Sequence, residues 1–369
     1  MHRSLTIQFS AIVLTSLTSV ANAQLSPALA KKLTARVTIN VDSQPLSELL
    51  TRFSESHQLA FTFDETALAA EGLHPDDPVS LNLDKVKLGQ VVELAAASLN
   101  LCIIPEADSL LVTTTEGRQD RLLELPYACP WAAGSRVPMQ KVVDAIEQTT
   151  TGPWVNIDGI GGEFTAVTAG GFKVFQNWAA HQEIADLLQK LQLAISGRPP
   201  AGDRFAAQIQ ARLNRKTDIE AESLPLADLL EQTLEPSQIN YWIDRAALKD
   251  EGLPLNQEVT PDKNTKSLGE LLQRTLTPLD LTAYLDREVM IITTRIAAED
   301  QMLSEVYNIS RQARETESPF AVADIIMQTP GTGSWVDLDG GAGQCVALGN
   351  FLIVRQHRFG QEKIRKMLQ

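Results

Sequence analysis

Apolar positions between Val37 and Thr114 switch repeatedly between a two-residue and a 3.6-residue period. Val37, Ile39 and Val41 alternate with Thr38 and Asn40, which predicts a half-buried strand. Pro45 then stands at a first helical position, and Leu46, Leu49, Leu50 and Phe53 follow at the spacing of one helix face. Residues 59–63 and 79–83 read as further strands, and Leu88, Val91, Val92, Ala95, Ala96 and Leu99 as the stripe of a second helix. Two closing strands are expected around 100–104 and 109–114. The order β-α-β-β-α-β-β predicts a small sheet covered by two helices, an α+β layer arrangement.

A shift of 180 residues lays the chain on itself: residues 37–115 share 21 identities over 79 positions with 217–295. Pro45-Leu46 falls on Pro225-Leu226, Asp64 on Asp244, and Val112-Thr113-Thr114 on Ile292-Thr293-Thr294. The offset continues, with one-residue slips, through Tyr127 and Tyr307, Trp154 and Trp335, and Ile184 and Ile364. The sequence therefore reads as a tandem duplication. The second half of each copy starts with a strand ending at Tyr127 or Tyr307. A helix follows, carrying Val142, Val143 and Ile146, or Val322, Ile325 and Ile326. Strands are predicted at 154–157, 164–167 and 172–175, and a helix with Ile184, Leu187, Leu188 and Leu191 closes the unit. Short helices around 27–34 and 205–214 precede the copies. The expected boundaries are a signal peptide at 1–23, first-copy modules at 24–116 and 117–195, a Pro/Gly linker at 196–202, and second-copy modules at 203–296 and 297–369. The two copies are expected to be self-contained, with few contacts crossing between them.

The basic start Met1-His2-Arg3, the short apolar run from Ile7 to Leu17 and Ala21-Asn22-Ala23 predict export with cleavage after Ala23. That makes a periplasmic or secreted product without a membrane anchor the expectation. Charge narrows the choice of partner: 32 Lys and Arg against 46 Asp and Glu give a net charge of −14, which disfavours nucleic acid and anionic membrane surfaces. Cys102, Cys129 and Cys345 lie in no ligand spacing and read as small apolar residues.

Candidate chemistry is sparse. The repeated Trp154-Val155-Asn156-Ile157-Asp158-Gly159 and Trp335-Val336-Asp337-Leu338-Asp339-Gly340 are followed by Gly-rich stretches. A phosphate loop needs a helix directly behind it. Here a strand is expected, so Asp158-Gly159 and Asp339-Gly340 read as β-hairpin tips, with Trp154 and Trp335 in the core. His57, His74, His181 and His357 neither recur at matching positions nor stand at ligand spacing. Asp218, Glu220 and Glu222 alternate as the outer face of the second copy's first strand. Asp64 and Asp244 read as helix N-caps. Pro261 falls in the second-copy stretch that corresponds to 79–83 and demotes that strand to an edge. No catalytic, cofactor-binding or metal-binding set is expected.

Taken together, the Pro-Leu-x-x-Leu-Leu helix, the strand ending in Asp64, Val79-x-Leu81-x-Leu83, Leu88-x-x-Val91-Val92 and the closing Thr113-Thr114 strand resemble the STN domain of secretins and TonB-dependent receptors. The match spans about 37–115 and, less completely, 217–295. The trailing modules resemble the KH-like periplasmic ring domains of secretins. This resemblance implies a non-catalytic role in contacting envelope proteins, with self-association within reach. On that reading the chain is an exported interaction protein whose partner-binding positions are Asp158, Gly159, Asp339 and Gly340, together with exposed sheet edges. The alternative is a small-ligand or glycan-binding protein with Trp131, Trp178 or Trp242 as stacking platforms in a groove between the copies.

Overall fold

The computed structural model describes residues 27–133, 137–168, 170–198, 204–216, 223–262, 264–316 and 318–369. The expected signal peptide, most of the 196–202 linker, and Asp218, Glu220 and Glu222 lie outside the described residues. The protein is α+β, and one order of elements runs through it twice.

In the first copy α1 (Pro27–Leu33) leads into β1 (Arg36–Pro45), α2 (Leu46–His57), β2 (Ala60–Phe63), α3 (Glu65–Ala70), β3 (Pro78–Lys87), α4 (Leu88–Ala97), β4 (Leu101–Glu106), β5 (Ser109–Thr114) and α5 (Thr115–Asp120). Two sheets form where the sequence predicts one. β1 and β3 make an antiparallel ribbon, and β2 runs parallel to β5, which pairs antiparallel with β4. Strand β3 turns Val79, Leu81 and Leu83 inward, as its two-residue period requires. Helices α2 and α4 bury Leu46, Leu49, Leu50 and Phe53, and Leu88, Val91, Val92, Ala95 and Ala96, in the same core. Asp64 caps α3 by accepting the Ala67 amide at 3.2 Å, and Asp244 caps its counterpart through Ala247 at 3.1 Å.

The trailing part comprises β6 (Leu122–Ala128), α6 (Pro130–Ala133), α7 (Met139–Thr149), α8 (Val155–Asp158), β7 (Glu163–Thr168), β8 (Gly171–Asn177) and α9 (Trp178–Ile195). Its sheet has the order β6-β8-β7, all antiparallel. The strand expected at 154–157 is instead the single turn α8.

The second copy repeats this as α10 (Arg204–Leu213), β9 (Leu224–Pro225), α11 (Leu226–Leu234), β10 (Tyr241–Ile243), α12 (Arg245–Asp250), β11 (Glu258–Val259), α13 (Leu268–Leu276), β12 (Leu281–Asp286), β13 (Val289–Thr294) and α14 (Arg295–Asp300). Then come β14 (Met302–Asn308), α15 (Ser310–Glu315), α16 (Pro319–Gln328), α17 (Val336–Asp339), β15 (Gln344–Leu348), β16 (Phe351–His357) and α18 (Arg358–Leu368). Among the described residues the β9–β11 ribbon pairs two residues per strand, where β1 and β3 run for ten. Pro261 stands just past Val259 and cannot donate to a ladder, in keeping with the shortened strand. On α16 Val322 and Ile326 are buried, but Ile325 is 52% exposed, which corrects the expectation that all three share the core face.

The copies do not stand apart. Tyr284, Val289, Ile291 and Ala298 of the second copy belong to the same apolar cluster as α2 and α4. Leu348 and Ile353 likewise join the core around α7 and α9. Polar contacts fasten the seam: Arg36 Nη2 to Glu288 Oε1 at 2.8 Å, Arg287 Nη1 to Glu93 Oε2 at 2.5 Å, Lys190 Nζ to Glu305 Oε1 at 2.9 Å and Arg355 Nη1 to Glu183 Oε2 at 3.1 Å. The expectation of self-contained copies is thus corrected. Apolar side chains of the two copies bury against one another there, which the hydrophobic effect favours.

Candidate functional site

The repeated Trp-x-x-x-Asp-Gly segments form the same single helical turn in the two copies. Trp154 is 1% exposed and packs with Phe164, ring centroids 5.2 Å apart. Its backbone amide donates to Asp158 Oδ2 at 2.7 Å, and the Asp158 amide returns a bond to the Trp154 carbonyl, also at 2.7 Å. An aspartate four residues after the tryptophan therefore closes one helical turn, a reciprocal arrangement related to a capping box. Gly159 ends the turn at φ 75°, a left-handed conformation that strains any residue with a Cβ. Trp335, Asp339 and Gly340 repeat the arrangement, with the Trp335 amide 2.7 Å from Asp339 Oδ1 and Gly340 at φ 73°.

A second fastening lies behind each turn. The Val155 amide donates to the Gly162 carbonyl at 2.9 Å, and Val336 to Gly343 at the same distance. Buried Gln176 donates to the Pro153 carbonyl at 2.7 Å, and Gln356 to the Ser334 carbonyl at 2.9 Å. A Cβ on Gly162 would come within 2.6 Å of the Phe175 carbonyl oxygen, and one on Gly343 within 2.3 Å of the Ser334 carbonyl oxygen, so glycine is required for the close approach.

The expected hairpin tips are consequently corrected: Asp158-Gly159 and Asp339-Gly340 terminate α8 and α17. The true hairpin turns lie at Gly170 and at Gly349-Asn350. Asp158, Gly159, Asp339 and Gly340 are all exposed. Beside them stand apolar side chains that the helical turn leaves exposed. Val155 is 39% and Ile157 55% exposed, matched by Val336 at 46% and Leu338 at 55%. Ile160 adds a third apolar side chain in the first copy. Each copy thus carries an apolar knob on a pinned turn. Acids flank both: Asp158 and Glu163 in one, Asp337 and Asp339 in the other. The spacing Trp-x-x-x-Asp-Gly, present in both copies, is the sequence signal for this turn.

The tryptophans expected to stack on a ligand do not form a groove. Trp178 is 1% exposed within the first core, Trp131 packs against the core around α7, and Trp242 is partly buried at the seam, donating to Ser98 Oγ at 3.1 Å. Cys129 is buried, and burial pushes its thiol up to about 11. No group of three or more His, Cys, Asp or Glu among the described residues could hold a metal ion. No described helix is long and apolar enough to cross a membrane.

No family model matches the chain, and no curated protein matches it. Among solved structures it is similar to XcpQN012, at 11% identity over 91% of this chain and 97% of that one, with a TM-score of 0.18. It is similar also to the N-terminal domain of the secretin XcpQ from Pseudomonas aeruginosa, at 11% identity over 91% and 98% of the two chains, with a TM-score of 0.17. At such TM-scores the likeness does not establish a common fold.

Proposed function

We propose that the chain is a non-catalytic, exported interaction protein of the cell envelope that holds a partner protein through its two apolar knobs. The observation that carries this reading is the matched exposure of Val155 and Ile157, and of Val336 and Leu338, on turns fixed by a buried tryptophan and a capping aspartate. A backbone turn that is already fixed costs less to bind than a mobile one, because little chain entropy remains to be lost. Asp158-Gly159 and Asp339-Gly340 act here as the frame of the contact, and the four aliphatic side chains as its substance. The acids beside the knobs favour a partner surface that is apolar with a basic margin.

Presenting two copies in one chain makes the second contact intramolecular once the first has formed. The test uses full-length chains carrying Ile157→Ser, Leu338→Ser or both, as bait in envelope extract with quantitative mass spectrometry. A protein retained by the parent chain, reduced by each single change and lost with both is the expected result. Equal retention by parent and double variant would refute the reading.

A further inference from the structure

In the second copy the seam between the β10-β13-β12 sheet and α18 carries a partly open cavity of about 310 Å³. That is near the lower end of the volumes that hold small organic ligands, roughly 300–1,000 Å³. Leu272 and Leu276 of α13, Leu281 and Tyr284 of β12, and Phe359 of α18 supply apolar wall, while Arg295, Arg358 and Arg365 bring positive charge. Against these three arginines stand Asp280 and Glu362, an excess of one positive charge in a chain of net charge −14.

Arg358 is the group that most needs a partner. Its guanidinium carbon lies 4.1 Å from the centre of the Tyr284 ring, and its Nη1 is buried with no hydrogen-bond partner. Two neighbouring charges are engaged elsewhere, Arg295 with Glu299 at 2.7 Å and Glu362 with Lys366 at 3.0 Å. Arg358 takes part in none of the ion pairs among the described residues. Desolvation pulls its pKa below the ordinary arginine value, opposed by the Tyr284, Asp286 and Glu305 fields. A buried cation without a counter-ion is costly unless something supplies the negative charge.

In the first copy the corresponding positions are apolar. By the 180-residue offset Arg358 corresponds to Trp178, Arg365 to Ala185 and Tyr284 to Ile104. Those three are buried members of the first core. The second copy therefore has a guanidinium where the first has a bulky apolar plug.

We propose that this cavity binds a small monoanionic amphipath, a carboxylate on an apolar body. Arg358 holds the carboxylate, and Leu272, Leu276, Leu281 and Phe359 cover the body. Titration calorimetry on the full chain tests this with sodium octanoate and the uncharged octanamide. Octanoate binds saturably at one site and at least about ten-fold more tightly than octanamide, the scale of one charge-assisted hydrogen bond. Arg358→Gln removes that preference, and Arg358→Trp, which restores the first copy's plug, abolishes binding of both compounds. Circular dichroism of each variant checks that it folds, and the comparison of the two compounds on the parent chain needs no variant. Absence of saturable octanoate binding up to about 10 mM, a range set by the weakest useful affinities, would overturn the proposal. Equal affinity for the amide, or a preference that survives Arg358→Gln, would do the same.

Discussion

His181 and Gln361 stand at the same place in the two copies and meet the same need with different groups. His181 Nε2 donates to the Leu123 carbonyl at 2.9 Å, which leaves Nδ1 to accept from the Tyr127 hydroxyl at 2.8 Å. Gln361 Nε2 donates to the Leu303 carbonyl at 2.7 Å, and its Oε1 accepts from Tyr307 at 2.8 Å. Both side chains give a donor to the first strand's carbonyl and an acceptor to the tyrosine, and Gln361 Nε2 also donates to the Val354 carbonyl at 2.7 Å. Only the imidazole titrates. Burial lowers its pKa, with the hydrogen bonds opposing. The unfolded chain therefore takes up the proton first. This contribution to stability is full above the ordinary histidine value of about 6.5 and declines as pH falls through it toward the folded-state value. His181→Gln should leave the unfolding midpoint at pH 8 within about 1 kcal/mol of the parent and flatten the decline below pH 6.5. Denaturant melts across pH 5–8 read both. A variant as acid-sensitive as the parent would show that the imidazole does not titrate on unfolding.

Among the elements, α16 and α17 show where periodicity serves and where it misleads. On α16 the apolar run Val322, Ala323, Ile325, Ile326 contains more aliphatic positions than one helix face can bury, and Ile325 is left outside. Ile326→Ala should cost about 2–5 kcal/mol through the cavity it leaves, and Ile325→Ala under about 0.5 kcal/mol. Thermal melts that show similar losses for both would place Ile325 in a contact with another molecule. The stripes of α2, α4, α7 and α9, and the paired N-caps Asp64 and Asp244, were legible because spacing and capping are local. Turn α8 was not. Trp154-Val155-Asn156-Ile157 alternates like a strand, and the closing bond is a side chain reaching four residues back to a backbone amide. Replacing Asp339, which makes that bond in the second copy, would free the Trp335 amide without removing any apolar contact.

For the molecule as a whole, the seam between copies is heterologous: each copy offers a different face. Glu93 meets Arg287, whereas their counterparts by the 180-residue offset are Gln273 and Ala107. The ion pair is therefore made once, inside the chain. Sequence similarity reveals the two copies but not this seam, since contacts between repeats fall at positions where the repeats differ. The cavity at Arg358 escaped sequence reading for the same reason: its signal is a difference, Trp178 against Arg358. Arg287 is only 17% exposed and also pairs with Asp286 at 3.1 Å. Arg287→Ala strands two carboxylates and should cost about 3 kcal/mol. Limited proteolysis should then release fragments from both copies together, because they share a core. Independent melting of one copy would mean the seam contributes little.

The reading of the knobs as one bivalent contact is tested most directly by affinity, measured by surface plasmon resonance with the captured partner immobilised sparsely. The parent chain, Ile157→Ser, Leu338→Ser and the double variant are compared at one ionic strength. Each single change should weaken binding by about 10²-fold or more, since it removes the effective-concentration advantage of the second site, and the double variant should not bind. All four chains should melt alike, because the altered side chains are exposed. If one single change abolishes binding and the other has no effect, the two knobs do not act together. If the double variant binds like the parent, they are not the contact.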